Sequence, residues 1–431
     1  MTEIALTRGL PQLPALSEHR TLRLMTLILL YFAQGLPFGL FDYALPAWLA
    51  QNGASAAAIG GVLALIGLPW TFKLAYGFVT DRYAFLAMGR RRPWIILSQF
   101  GLVAALLAMA AVNPGVHQFA LLGAFAFALG LASSIQDVAV DGLAVDILPE
   151  QEIEHANGFM FGGQAIGIAA GAAVSGTLIA YRGLPSALLT LAALTAAILV
   201  LVIAVRERTG ERLLPWTQGA ASQRNLDLHL GAFGPIVRNL FSAMFTRQTL
   251  ILVPGLLAAT AAYGIFLGMA PLFASDVLGW QKDTYSGWSS QAQLIAGLTG
   301  GILFGVAAAR WGARRLFIAG MLAVAGVALA ILGLRDQWGN PLILIGAIFV
   351  FTGLAVLRAI TTGALAMRLC TPAIAATQFA VFMAILNLGR TISSAALGWI
   401  DSLGGMPAMF IAVAICGLVA AGFGVAAKVG R

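Results

Sequence analysis

Gly77-Phe-Val-Thr-Asp81-Arg82-Tyr83, followed after five residues by Gly89-Arg90-Arg91-Arg92-Pro93, sets a dense cationic turn between two apolar runs, each long enough to cross a bilayer. So much charge cannot sit in hydrocarbon, and the flanking runs cannot sit in water, so the chain must leave and re-enter a membrane here. A degraded copy follows in the second half, Gly305-Val-Ala-Ala-Ala309-Arg310-Trp-Gly312-Ala-Arg314-Arg315. Ala309 stands where the acid was, while the glycine, the arginine and the basic pair keep their spacing. The two copies point to one unit used twice.

Composition agrees at the scale of the whole chain. Of 431 residues, 60% are hydrophobic and 10% charged, too few polar groups to cover a water-soluble body of this size. A span needs roughly 20 apolar residues. Twelve candidates centre near Ala33, Leu68, Leu102, Leu129, Ile168, Leu194, Ala261, Leu298, Ala325, Leu354, Asn387 and Val413. With the amino terminus inside, only Arg182, Lys282 and Arg335 among the loop and tail cations fall on the outer side, so both termini are expected in the cytoplasm and the number of spans is even. The net charge of +8 is dispersed over separate segments. It therefore reads as a topological signature, with no nucleic-acid partner expected.

Cys370 and Cys416 are the only cysteines, too few for a disulfide framework or a thiolate metal site. The first 20 residues lack an apolar signal core, so no cleaved peptide is expected. His19, His117, His155 and His229 are expected in loops or tails, no His, Cys and carboxylate set has metal-ligand spacing, and no Walker-type glycine loop is present. Neither cofactor nor metal is expected. An enzyme is disfavoured because no nucleophile and base pair is evident.

The longest polar interval divides the spans six and six. The expected organisation is an N-terminal six-helix bundle over 1–205, a central cytoplasmic loop over 206–247 and a C-terminal bundle over 248–431. Leu213, Leu214, Phe233 and Ile236 within that loop fit either a surface amphipathic helix or a plain linker. Gly130-Leu131-Ala132 recurs as Gly353-Leu354-Ala355, Gly167 as Gly389 and Gly176 as Gly398, at an offset of about 222 residues. The fold class is thus an all-α membrane protein of two pseudo-symmetric six-helix repeats. Gly163, Gly167 and Gly171, and likewise Gly297, Gly301 and Gly305, make smooth helical faces suited to close approach, either across the two halves or within one of them.

Charges inside the membrane need a partner or a watery cavity. In Gln136-Asp137-Val-Ala-Val-Asp141-Gly142, Asp137 and Asp141 share one helical face, and a pair of nearby carboxylates tends to share a proton. Lys73 lies at similar depth, so a Lys73 to Asp137 ion pair is geometrically reasonable. Alternatively Lys73 snorkels to the interface and the aspartates cap their helix near Arg90 to Arg92. Asp146 reads as a cytoplasmic gate or cap. Arg358 and Arg390 lie near the midplane of the second half, where they either bind an anionic group of a solute through the guanidinium fork or pair with an acid across the halves to close a gate. Tyr31, Gln34, Asp42, Gln164, Gln291, Gln293 and Asn387 complete the intramembrane polar inventory, and of these Tyr31, Gln34, Gln164 and Asn387 are the candidate solute contacts. Asp81, Arg82, Arg90, Arg91, Arg92 and Arg310 are the candidate gating residues.

The turn from Gly77 to Arg92 resembles the signature loop between spans two and three of the major facilitator superfamily. More narrowly, Leu68-Pro69-Trp70-Thr71-Phe72-Lys73, Asp81-Arg82-Tyr83, Gly89-Arg90-Arg91-Arg92-Pro93-Trp94 and Gln136-Asp137-Val138-Ala139-Val140-Asp141-Gly142 resemble the AmpG-like permeases and the related acetyl-coenzyme A transporters. The resemblance covers mainly the first five spans. It implies a proton-coupled importer of the bacterial inner membrane, monomeric, working by alternating access on a polar or anionic solute such as a muropeptide, a siderophore or a peptide. Its partners are then the solute, protons and the lipid bilayer. The rival from another class is a non-transporting membrane protein that binds or delivers a pigment, a lipid or an assembly partner.

Overall fold

A computed structural model of the chain describes residues 14–149, 152–227, 244–281, 283–369 and 375–427. The regular elements among them are helices. In chain order the long ones are α1 (Arg20–Gln51), α2 (Ala56–Thr80), α3 (Arg92–Val112), α4 (Phe119–Ile147), α5 (Ile153–Arg182), α6 (Leu184–Ala204) and α7 (Arg247–Val277). They continue with α8 (Thr284–Ile295, running through a π turn into Gly301–Trp311), α9 (Ala313–Gly333), α10 (Pro341–Leu369), α11 (Ala375–Ala395) and α12 (Gly405–Ala426). Ten stretches among the described residues are long and apolar enough to cross a membrane; α8 and α11 are helical at the two other positions expected.

Local chemistry sets the ends of these helices. The Ser55 hydroxyl accepts the Ala58 amide at the start of α2, and the Thr246 hydroxyl accepts the Thr249 amide at the start of α7. Pro93, Pro185 and Pro341 occupy first turns, where a missing amide hydrogen is harmless. Gly183 and Gly312, each in the left half of backbone space with φ of 83° and 85°, turn the chain between α5 and α6 and between α8 and α9.

Several helices are broken within their length. Proline lacks the amide that would continue the ladder, and the bonds slip near it. In α1 Pro37 is followed by a π turn at Leu40–Ala44; in α7 Pro271 is followed by one at Phe273–Val277. In α2 Leu68–Phe72 tightens to a 3₁₀ turn at Pro69, and regular helix resumes at Lys73.

The glycine face of α5 packs within its own half. A Cβ at Gly163, Gly167 or Gly171 would meet the carbonyls of Ile28, Phe32 or Leu36 on α1, so this face is a tight seam and is not the sliding surface between halves. On α8, Gly297 alone of its described glycine face meets the other half, against Ala165, while Gly305 faces open space. The seat of Gly167 of α5 against α1 is mirrored by that of Gly389 of α11 against α7, where a Cβ would meet the Thr260 hydroxyl and Leu257 O. Gly176 against Ser286 is mirrored by Gly398 against Ala57. The Gly176 contact sets α5 against α8; the Gly398 contact sets the short helix Leu397–Ser402 against α2, and Gly60 of α2 against Ser394 O brings α11 to the same seam. The halves also meet through Gln51 and the Trp280 carbonyl (2.8 Å), Ser275 and the Ala50 carbonyl (3.0 Å), and Ser290 and the Ala169 carbonyl (2.8 Å). All of these lie toward the end of the bundle opposite the Arg90–Arg92 turn.

The start of the central loop is folded against the N-terminal half. Leu16 and Ser17 donate to the carbonyls of Arg206 and Glu207 (2.8 and 3.0 Å), and Arg212 donates to Ala87 O (2.7 Å). Described helix in this loop is limited to Gln223–Asp227. Phe233 and Ile236, on which a surface helix was expected, lie outside the described residues. His155 belongs to the backbone of α5, correcting its expected place in a loop.

Candidate functional site

Two polar clusters lie inside the bundle. The first belongs to the N-terminal half. Lys73, the residue at which α2 resumes after the Pro69 break, forms an ion pair with Asp137. Gln34 of α1 donates to the other oxygen of that carboxylate at 2.6 Å. Four residues along α4, Asp141 accepts the Tyr31 hydroxyl. Behind them Gln136 donates to Leu30 O at 2.8 Å and accepts from Gln99 at 3.1 Å, which fastens α1, α3 and α4 together. The Lys73 ammonium also sits 5.2 Å from the Trp70 ring centroid. Asp137 is buried, while Asp141 keeps an accessible surface beside its bond to Tyr31. The snorkelling alternative for Lys73 is therefore set aside by the geometry. The cluster has one cation for two carboxylates, an arrangement able to take up a proton.

The second cluster bridges the halves. Asp42, displaced into the π turn of α1, pairs with Arg390 of α11. Beside it the hydroxyls of Tyr43 and Tyr263 are 3.4 Å apart, and Gln293 of α8 donates to the Tyr43 hydroxyl. The Arg358 guanidinium carbon lies 5.4 Å from the Tyr263 ring centroid, and that of Arg390 lies 5.9 Å from the ring of Phe38. Asn387 reaches the Trp70 carbonyl at 3.4 Å. Gln164 is half-buried, with no side-chain hydrogen bond to a described residue. Tyr43 and Tyr263 escaped the sequence reading, and Asp42 entered it only as one of several polar residues. An intramembrane acid in one half facing an intramembrane arginine in the other was the available signal.

The basic turn splits its work. Arg90 and Arg91 reach Asp146 at the end of α4 (3.5 and 3.3 Å), and Arg91 also approaches Thr80 (3.4 Å). Arg92, buried, donates to the carbonyls of Val202 and Ile203 (3.0 and 2.7 Å) at the end of α6. The surprise is Glu207. Its carboxylate accepts the amides of Arg90 (2.8 Å), Arg91 (2.7 Å) and Arg92, capping α3 from the central loop. Burial nevertheless pushes the Glu207 carboxyl up, opposed by those three amides. Glu211 nearby is pushed up to about 7 by burial and by the Glu207 charge, and it accepts from Asn225 at 2.7 Å. Arg82 and Arg310 are exposed. The side chain of Asp81 lies outside the described residues.

The pattern of the Major Facilitator Superfamily matches residues 27–290. The anhydromuropeptide permease of Escherichia coli K12 is 26% identical over 404 residues, 91% of this chain and 78% of its own length. A folate-biopterin transporter of Synechocystis is 25% identical, with the same two coverages of 91% and 78%. Among solved structures, the D-xylose-proton symporter superposes with a TM-score of 0.71 at 13% identity, covering 94% of this chain and 97% of that one. A mutant of the nucleoside transporter NupG gives 0.71 at 14% identity, covering 94% and 98%.

Proposed function

The chain is an AmpG-like member of the major facilitator superfamily, a family of transporters and not of enzymes, and from that premise we propose that it imports a polar or anionic solute together with protons across the bacterial inner membrane. In this reading twelve spans, with both termini in the cytoplasm, form an N-terminal bundle over 1–205 and a C-terminal bundle over 248–431, joined by the loop 206–247. The two halves rock about the clusters between them. The observation that carries the proposal is the Lys73–Asp137 pair, held deep in the bundle beside the Tyr31–Asp141 hydrogen bond.

A charge at that depth costs about 2.5–3.5 kcal/mol on insertion scales, so a cation with two carboxylates is retained there for a purpose other than folding. Asp137 and Asp141 with Lys73 serve as the proton-coupling group. Arg358 and Arg390, with Tyr31, Gln34, Gln164 and Asn387, line the path of the solute. Arg90, Arg91 and Arg92 brace the helix ends that move as the cytoplasmic side closes, and Asp81, Arg82 and Arg310 join them there. In this reading the conformation is the inward-facing one, supported by the three hydrogen bonds between the halves at the end away from the basic turn. A muropeptide-like solute is supported by the likeness to an anhydromuropeptide permease, and the siderophore and peptide alternatives by the family resemblance of the motifs.

Counterflow in proteoliposomes tests this. Vesicles loaded with an unlabelled anhydromuropeptide, dipeptide, iron siderophore or pterin should draw in the labelled form of the transported compound, and an inward proton gradient should drive its accumulation. A protein that binds and delivers without transporting gives no counterflow with any of them.

A further inference from the structure

We infer that the cluster between the halves is a binding site for one singly charged anionic group, a carboxylate or a phosphodiester, gripped by Arg358 and by an Arg390 that it shares with Asp42. This deepens the transport reading by naming the chemistry that the solute must carry.

The first reason is a charge imbalance. Among the described residues, Lys73 pairs with Asp137 beside Asp141, whereas Arg390 pairs with Asp42 and Arg358 has no acidic partner. The first cluster is one positive charge short, which a proton supplies. The second is one negative charge short, and a proton cannot mend that because a guanidinium does not release one in a protein. A monoanion leaves this cluster neutral. A phosphomonoester dianion would turn the shortage into a surplus.

The second reason is the state of the two arginines. The Arg358 guanidinium makes no ion pair or hydrogen bond with a described residue, and its Nε is buried without a partner. Among the described residues, its contact is with the face of Tyr263. Arg390 spends one Nη on Asp42, while its Nε is likewise buried and unpartnered. A guanidinium presents donors in a planar fork suited to two oxygens of one anion, and both forks here are at most half used. In the same cluster the paired hydroxyls of Tyr43 and Tyr263, one from each half, offer a further donor.

The third reason is location. Asp42 stands on α1 and Arg390 on α11, so a solute anion entering the site competes with the carboxylate that ties the halves together. Binding would then loosen the closed end of the bundle, and loosening it is what a transport cycle requires of its substrate.

The test uses the purified full-length protein in detergent and needs no knowledge of the natural solute. Thermal unfolding is followed with N-acetylglycine, dimethyl phosphate, N-acetylglycinamide and, at a pH where it is dianionic, methyl phosphate, with ionic strength matched by sodium chloride. The two monoanions should raise the melting temperature saturably, the neutral amide should not, and the dianion should do so less. Arg358→Gln should abolish the preference for acid over amide, and Arg358→Lys should weaken acid binding by about tenfold. Asp42→Asn, by removing the competitor for Arg390, should strengthen acid binding by about tenfold. A purely structural ion pair predicts no such gain.

Equal shifts for acid and amide in the wild type, or no shift for either up to solubility, overturn the site. So does a folded Arg358→Gln protein that keeps the preference, or weaker acid binding in Asp42→Asn. If Arg358→Gln fails to fold, the wild-type comparison and Asp42→Asn still decide. Acid-selective stabilisation in a protein that gives no counterflow would preserve this site and sink the transport reading.

Discussion

At the scale of single residues, the sharpest consequence belongs to Asp137. Its carboxylate is shared by Lys73 and Gln34, so Asp137→Asn mimics a permanently protonated group while keeping its shape. Accumulation against a gradient should fall to the equilibrium level, while exchange of labelled for unlabelled solute persists, since exchange needs reorientation but no net proton release. Uphill uptake at the wild-type level in this variant would remove Asp137 from the coupling role. Lys73→Ala leaves the acid buried without its cation and should lower stability by about 3 kcal/mol in denaturant titration. The double change Lys73→Ala with Asp137→Asn should recover much of that loss, because the uncompensated charge is gone. Asp137 and Lys73 were legible from type and spacing: each is an ion in an apolar run, and their depths match by helical rise. Glu207 was not. A glutamate after an apolar run reads as an ordinary loop acid, and only folding brings it against the amides of Arg90, Arg91 and Arg92.

At the scale of elements, the central loop is tied down and is more than a tether at its start. Glu207 caps α3, Arg92 closes the end of α6, and Arg208 donates to Asp146 O at 2.6 Å at the end of α4. Helix termini that would otherwise leave amides and carbonyls bare at the membrane surface satisfy one another through this segment. Glu211 makes the arrangement sensitive to pH. Burial raises its carboxyl from 4.5 to about 7, so the docked loop holds a proton that the undocked loop has released. The stabilisation is complete below about pH 4.5 and is lost as the pH rises through about 7. Hydrogen exchange over 207–225 should therefore show the wild type losing protection relative to Glu211→Gln as the pH rises across that window. Equal protection in both proteins at every pH would refute the assignment. The helix breaks near Pro37 and Pro69 follow from the missing proline amide, but that the first becomes a π turn presenting Asp42 depends on its packing against α5 and α11.

At the scale of the whole molecule, the deep charges balance: Lys73, Arg358 and Arg390 against Asp42, Asp137 and Asp141. A proton and a monoanion add no net charge to that sum, so both the loaded and the empty carrier should reorient without moving charge through the membrane field. Uptake into proteoliposomes should follow the pH gradient and stay unchanged when a potassium gradient with valinomycin imposes a membrane potential of either sign; a rate that tracks the potential would rule out this balance. The sequence by itself determined the membrane class, the helical architecture and the family. Those properties follow from hydropathy, from basic residues kept out of the lipid, and from short motifs, all of which are local or periodic in sequence. Tertiary structure alone decided that Asp42 meets Arg390. Asp42 and Arg390 are 348 positions apart, and pairing them depends on which helix faces pack together. It also decided that the glycine face of α5 seals α1 inside one half, because a smooth helix face carries no record of the partner whose backbone comes to lie against it.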